Sequence, residues 1–95
     1  MSEITAGYLG SFDPLTKGHL DIITRGSFIF STLIIGVGSH SKKKFYFDKK
    51  TRVSIIEKAC KHLKNVKVFS FEELAVTFCK KNNIGFLAFE YSGHG

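Results

Sequence analysis

The residues from Gly10 to His19, GSFDPLTKGH, combine the groups that a phosphate-binding loop needs. A glycine-bearing loop exposes backbone N–H groups, and a helix start directs more of them to one point, which favours a bound anion. Ser11 and Thr16 add hydroxyls, and His19 adds a ring donor. Taken singly, Ser11 is as readily a loop serine that bonds its own backbone, and His19 a surface histidine. Together they predict an anion site between a strand and a helix.

The chain around this loop alternates apolar strands with amphipathic helices. The sequence predicts strands at Ile4–Leu9, Leu33–Gly38, Val66–Phe71 and Ile84–Phe89, and helices at about Gly18–Phe30, at about Lys49–Leu63 and from Ser70 to Asn82-Asn83. In the third helix, Ser70-x-x-Glu73 has the form of a capping box. Single helices between strands imply right-handed βαβ units and a parallel sheet, whose strand carboxyl ends share one ligand-binding rim.

Length and composition favour one globular domain, residues 1–95, without a linker or repeat. The hydrophobic share of 43% and the charged share of 23% argue against disorder. The net charge is +6, and most of the cations lie between Lys42 and Lys67. Such a patch suits nucleic acid, an anionic membrane or a phosphorylated small molecule, or is a solvated surface. Aromatic residues accompany the lysines only at Phe45–Phe47, so nucleic-acid binding is not favoured.

The two cysteines and the hydropathy point away from secretion and membranes. Cys60 and Cys79 lack a CxxC spacing, so the sequence predicts small buried side chains rather than a metal or redox pair. There is neither a signal-peptide pattern nor an apolar run of about 18 residues. We expect a cytoplasmic protein that does not contact a membrane.

The decapeptide resembles the Gly-x-Phe-Asp-Pro-x-Thr-x-Gly-His signature of HxGH-type nucleotidyltransferases, and most of all that of bacterial phosphopantetheine adenylyltransferases. The resemblance continues in register through four further segments, Asp21–Arg25, Ser41–Phe45, Thr51–Val53 and Phe71–Ala75. It covers residues 1 to about 88. It implies a Rossmann-like nucleotidyltransferase fold, an α/β architecture with helices on both faces of the sheet and its C-terminal part missing.

The activity that the resemblance implies is transfer of AMP from ATP to 4′-phosphopantetheine, a step of coenzyme A biosynthesis that yields dephospho-CoA and pyrophosphate. Members of the family use magnesium, brought largely by the ATP phosphates, and form hexamers. The resemblance therefore implies Mg²⁺ as cofactor and a homo-oligomer. Two alternatives are a cytidylyltransferase of the same superfamily and a non-catalytic remnant that binds phosphate or a nucleotide.

The resemblance also implies roles for the residues that would carry the reaction. His19 would donate to the α-phosphate, Ser11 would bind the acceptor phosphate, and Lys43 would orient that phosphate. Lys42 is the competing assignment for Lys43 because three lysines are consecutive, and a solvated lysine loop is the remaining alternative.

Further residues would shape the binding surfaces of the two substrates. Gly10 and Phe12 would contact ATP beside Ser11 and His19. Gly18 would let the nucleotide approach the helix start, or serve a turn that needs a positive φ. Leu74 and Ala75 would line the pantetheine arm, with packing in the core as an equal alternative. The sequence assigns Asp13 and Pro14 to the shape of the loop.

The chain departs from the family pattern after the fourth predicted strand. The family continues into Arg-Gly-x-Arg, whereas this chain has Phe89, Glu90 and Tyr91. Each lost charge-assisted contact is worth about 1.5–3 kcal/mol, and Glu90 would add a negative charge that repels phosphate. We therefore expect phosphate binding to persist better than turnover. We also expect the apolar residues of Ile84–Phe89 to form a partly uncovered edge strand.

Overall fold

The computed structural model describes residues 3–39 and 44–90. The elements, in chain order, are β1 (Thr5–Gly10), α1 (Lys17–Ile29), β2 (Thr32–Gly38), α2 (Lys49–Ala59), β3 (Val66–Phe71), α3 (Ala75–Lys81) and β4 (Phe86–Phe89). The strands form one sheet in the order β3-β2-β1-β4, and every pair is parallel. The predicted parallel α/β architecture is confirmed. The carboxyl ends of the four strands consequently lie at the same edge of the sheet.

Alternation of side chains along β1 and β2 builds a core on each face of the sheet. On one face, Tyr8 and Ile35 pack with Ile23 of α1 and Ile56 of α2. On the other face, α3 covers a smaller cluster made of Leu9, Ile34, Phe71 and Phe78. Helices therefore cover both faces of the sheet, as predicted.

The start predicted for α3 is wrong. Ser70 lies in β3, where it pairs with Val37 of β2, so its backbone belongs to the sheet rather than to a helix cap. Glu73 does not complete a capping box either, since its carboxylate binds Lys81 Nζ at 3.0 Å. The helix begins at Ala75 and has no side-chain cap. The capping-box pattern was outweighed by strand pairing, which depends on residues distant in sequence.

The other helix boundaries agree more closely with the sequence. The helix α1 spans nearly the predicted range, while α2 ends at Ala59 rather than Leu63. Asp48 begins α2 by accepting a hydrogen bond from the Thr51 N–H at 2.8 Å. Among the described residues, no helix has the length and apolar character needed to cross a membrane.

The last strand is a short apolar edge. It pairs with β1, and its Phe86, Leu87 and Phe89 are 53%, 37% and 62% exposed. The predicted strand began at Ile84, but Ile84 precedes β4 and packs partly buried on the core cluster under α3. The expectation of a partly uncovered apolar edge is confirmed.

The cysteines follow the sequence interpretation in part. Cys60 is buried in the main core, whereas Cys79 is only half-buried, and both are free thiols. Burial raises the pKa of both thiols, which favours their protonated form.

Candidate active site at the carboxyl end of β1

The loop between β1 and α1 holds a carboxylate from the end of β4. Oε1 of Glu90 accepts hydrogen bonds from the Ser11 N–H at 2.7 Å, the Ser11 hydroxyl at 3.2 Å and the Phe12 N–H at 3.3 Å. Its Oε2 lies 2.9 Å from Nε2 of His19, and the two side chains are only 15% and 13% exposed. Ser11, Phe12 and His19 therefore converge on one oxyanion, as their sequence pattern predicted. The Glu90 carboxylate itself lies among these donors, whereas the sequence indicated only a negative charge that would repel phosphate.

A reciprocal cap fixes the ring of His19. The Thr16 N–H donates to Nδ1 of His19 at 3.0 Å, and the His19 N–H donates to the Thr16 hydroxyl at 3.2 Å. Because Nδ1 is an acceptor in this contact, the ring proton of the neutral imidazole lies on Nε2. The ring thus presents an N–H to the anion site without needing a positive charge.

Phe12 shapes the loop through an uncommon backbone conformation. Its φ is +48°, in the left-handed region, and its ring is buried edge-on between Tyr8 at 5.2 Å and His19 at 5.1 Å. The conformation costs about 1–2 kcal/mol, which burial of the ring, worth about 1.5–3 kcal/mol, offsets. A left-handed residue at this point turns two successive N–H groups toward one anion.

The anion site also affects its aromatic neighbour. Burial raises the pKa of the Tyr8 hydroxyl, and the negative charge of Glu90 adds to this effect. Tyr8 therefore places an uncharged side chain beside the site.

Arg52 is a functional candidate that the sequence analysis missed. Its side chain is 1% exposed, and it donates to the carbonyls of Ser11 and Gly38 at 2.9 Å and of Phe47 at 3.0 Å. The guanidinium carbon also lies 3.9 Å from the centre of the Phe45 ring. One cation thus joins three segments around the site. In the sequence it is one basic residue of a lysine-rich helix, within the Thr51–Val53 segment that resembles the family, and its local pattern does not indicate these contacts.

The contact of Arg52 with Ser11 orients the peptide that faces the anion. In a trans peptide the C=O and the next N–H point in opposite directions. Since Arg52 holds the Ser11 carbonyl, the Phe12 N–H points away from the guanidinium and toward the Glu90 carboxylate. Burial lowers the pKa of Arg52, while the charges of Asp13 and Asp48 oppose that shift.

Asp13 has the loop-shaping role that the sequence predicted. Its two carboxylate oxygens accept hydrogen bonds from the N–H groups of Tyr46 and Phe47, the second at 2.8 Å. This clamp holds the segment before α2 against the anion loop. The lysine assignments, Lys43 and its alternative Lys42, lie outside the described residues, so their predicted role stays a prediction.

The two glycines of the motif have different structural consequences. At Gly10, an added Cβ would collide with the Glu90 side chain, so the glycine makes room for the bound carboxylate. At Gly18 the φ is not positive, so the turn interpretation is wrong. Among the described residues, an added Cβ at Gly18 would come within contact distance of the Thr16 hydroxyl, at 3.6 Å. The predicted ATP contacts of both glycines stay predictions.

The residues predicted to line the pantetheine arm lie further along the same rim. Leu74 is 68% exposed, so core packing is the wrong interpretation for it. Ala75 is partly buried and packs against the cluster under α3. They follow β3, which lies two strands from β1, about 10 Å across the sheet. The predicted contact of Leu74 and Ala75 with pantetheine stays a prediction.

Comparison with known proteins identifies the family. The sequence profile of the family described as Cytidylyltransferase-like matches residues 8–91. The chain belongs to this family. The match includes the anion loop, Arg52 and Glu90, so all parts of the site described above lie within the cytidylyltransferase-like region.

Curated relatives within the cytidylyltransferase-like family are named phosphopantetheine adenylyltransferase. The chain is 54% identical to that of Clostridium botulinum (strain Eklund 17B / Type B) over 82% of this chain and 49% of the relative. It is 48% identical to that of Finegoldia magna over 85% and 50%, respectively. The chain thus spans about half the length of these relatives. The resemblance found in the sequence is confirmed.

A solved structure supports the fold at lower sequence similarity. The crystal structure of NadR protein in complex with NR matches with a TM-score of 0.66 at 16% identity, over 94% of this chain and 31% of that chain. This similarity and the parallel sheet with its helices confirm the Rossmann-like fold, and the match to the cytidylyltransferase-like family identifies it as that of a nucleotidyltransferase.

Proposed function

We propose that this chain provides the phosphate-binding part of a phosphopantetheine adenylyltransferase site. The protein would transfer AMP from ATP to 4′-phosphopantetheine and release pyrophosphate. One observation carries the proposal: donors of Ser11, Phe12 and His19 already hold an oxyanion at the carboxyl end of β1. The names of the curated relatives supply the substrate class.

The proposed reaction is a direct displacement at phosphorus. An oxygen of the acceptor phosphate forms a bond to the α-phosphorus of ATP while the bond to pyrophosphate breaks. Such a reaction depends on positioning and on neutralising charge, and it needs no covalent intermediate with the protein. The Ser11 hydroxyl and the two loop N–H groups would bind the acceptor phosphate, while Nε2–H of His19 would donate to the α-phosphate.

The remaining participants are part of the same proposal. Lys43, or Lys42, would neutralise the acceptor phosphate, and Leu74 and Ala75 would contact the pantetheine arm. Magnesium would accompany ATP, whose phosphate oxygens are the ligands that this cation prefers. Residues 3–39 and 44–90 contain no group of three or more His, Cys, Asp or Glu side chains able to hold a metal ion. A cytoplasmic homo-oligomer, a hexamer as in the family, completes the proposal.

Isotope exchange between pyrophosphate and ATP tests the proposed activity. Exchange should depend on added phosphopantetheine, and His19→Ala should lower its rate about 100-fold or more, as loss of one donor to a developing charge does elsewhere. The exposed His62, just after α2, provides the matched control, and His62→Ala should not change the rate. Exchange that needs no phosphopantetheine, or that survives His19→Ala, would contradict the proposal. Replacing ATP by CTP tests the cytidylyltransferase alternative.

A second candidate function is phosphate binding without turnover. The Glu90 carboxylate in the anion loop favours it, because the donors needed for the reaction are engaged by a group of the chain itself. This candidate predicts ATP binding that His19→Ala weakens and His62→Ala does not, together with no exchange. Binding and exchange are measured on the same preparations, so the two candidates are separated directly.

A further inference from the structure

We propose that Glu90 is a built-in competitor of the substrate phosphate. Its carboxylate closes the anion loop, and phosphate binds only when the side chain leaves. This inference rests on the proposed function, since it takes the loop to be the phosphate site, and it adds how occupancy of that site is controlled.

The competition follows from the number of donors. Oε1 of Glu90 accepts hydrogen bonds from the Ser11 N–H, the Ser11 hydroxyl and the Phe12 N–H, and Oε2 lies 2.9 Å from Nε2 of His19. The proposed function assigns the three donors of Ser11 and Phe12 to the acceptor phosphate and His19 to the α-phosphate, so the carboxylate occupies the positions of both. A carboxylate and a phosphate held there together would also bring two negative charges into a poorly solvated space.

The carboxylate is an effective competitor because the chain holds it in place. The Glu90 N–H donates to the Leu9 carbonyl at 2.7 Å, directly after the ladder pair of Leu9 and Phe89. A group tethered in this way has a high effective concentration at the site, of the order of millimolar or more. Gly10 allows the close approach, since a Cβ there would collide with the Glu90 side chain.

Release requires little structural change. The backbone of Glu90 belongs to the pairing between β4 and β1, so rotation of the side chain alone empties the loop. Within the part of the chain that the structure describes, the partners of the carboxylate all belong to Ser11, Phe12 and His19. Neutralising Glu90 therefore leaves the core and the sheet intact and alters only the site.

The test measures binding of inorganic phosphate at fixed ionic strength by titration of amide resonances. Glu90→Gln removes the charge, and Glu90→Ala removes the side chain. Both should bind phosphate about tenfold or more tightly than the unchanged chain, which corresponds to about 1.4 kcal/mol. Glu57→Gln is the matched control, because Glu57 is exposed on α2 and gives the same change in net charge. Its phosphate affinity should stay within about twofold of that of the unchanged chain.

A second measurement uses the unchanged chain and needs no variant. As phosphate saturates the Ser11 and Phe12 amides, the carboxyl carbon resonance of Glu90 should move toward that of a solvated glutamate. Saturation of those amides with no movement of the carboxyl resonance would overturn the proposal. ATP in a parallel titration shows whether a nucleotide phosphate displaces the same side chain as the free anion.

The outcomes separate this inference from the proposed function. Tighter binding by both Glu90 variants, with the Glu57 variant unchanged, supports competition. Equal or weaker binding by the Glu90 variants, with loss of binding in His19→Ala, overturns competition and leaves the phosphate site standing. No phosphate binding by the unchanged chain or by either Glu90 variant overturns both.

Discussion

Thr16 and His19 hold each other at the start of α1, since each backbone N–H donates to the side chain of the other residue. The pair joins helix stability to the chemistry of the site. The same contact that caps the helix leaves the ring proton on Nε2, which faces the anion. The cap at His19 therefore depends on the Thr16 hydroxyl, and the position of the ring proton depends on the Thr16 N–H.

Thr16→Val should weaken the helix cap and leave the tautomer of His19 unchanged, because the backbone N–H that donates to Nδ1 remains. Valine keeps the shape of threonine but provides no hydroxyl acceptor, so the free energy of unfolding should fall by about 1 kcal/mol. Urea unfolding measures the loss, and imidazole nitrogen resonances measure the tautomer of His19. Thr16→Ser is the control, and it should retain the cap and the Nε2–H form. Equal stability of Thr16→Val and the unchanged chain would contradict the role of the cap.

Arg52→Met should be the most destabilising change near the site. It would leave the carbonyls of Ser11, Gly38 and Phe47 without their shared donor, at about 1–3 kcal/mol for each buried group that water does not reach. We expect the free energy of unfolding to fall by about 3 kcal/mol or more, measured by urea unfolding.

Arg25→Met is the matched control for Arg52. Arg25 is exposed on α1 and pairs with Asp21 at 3.1 Å, so its loss should cost about 0.5 kcal/mol or less. Arg52→Lys should fall between the unchanged chain and Arg52→Met, because one ammonium lacks the planar fork of the guanidinium. Similar losses for Arg52→Met and Arg25→Met would show that the three-segment contact does not contribute.

Asp48 should make the stability of the chain depend on acidity. Hydrogen bonds from Thr51 hold the pKa of Asp48 below its ordinary value of 3.8. Because the folded-state pKa is the lower one, this contribution is complete above pH 3.8 and is lost as the pH falls through the folded-state value. Urea midpoints at about pH 6 and about pH 3 should therefore differ more for the unchanged chain than for Asp48→Asn, which caps without titrating. An equal difference in the two proteins would contradict this prediction.

The exposed edge at β4 should promote self-association of the chain. Phe89 is 62% exposed on β4, the edge strand of the described sheet, whereas Phe28, 82% exposed, lies on a helix. Phe89→Lys should lower light scattering and apolar-dye binding more than Phe28→Lys does. A monomer that binds no dye at high concentration, or an equal effect of the two changes, would contradict this prediction.

The sequence by itself determined the elements and the kind of site. Short apolar runs separated by helical patterns located three of the strands to within a residue, and the Gly10–His19 motif located the anion loop. These features are local: side-chain period, helix caps and loop composition act over about ten residues or fewer. For the same reason Ser70, whose local pattern is that of a cap, is predicted both within the third strand and as a helix start, and only the strand is correct.

Only the tertiary structure decided what meets at the loop. Ser11 and Glu90 are 79 residues apart in sequence, and the pairing of β1 with β4 brings them together. Arg52 comes to the same loop because α2 packs beside the ends of β1 and β2. The residue types alone do not predict these contacts. The order of the strands in the sheet decides which donor lies beside which acceptor.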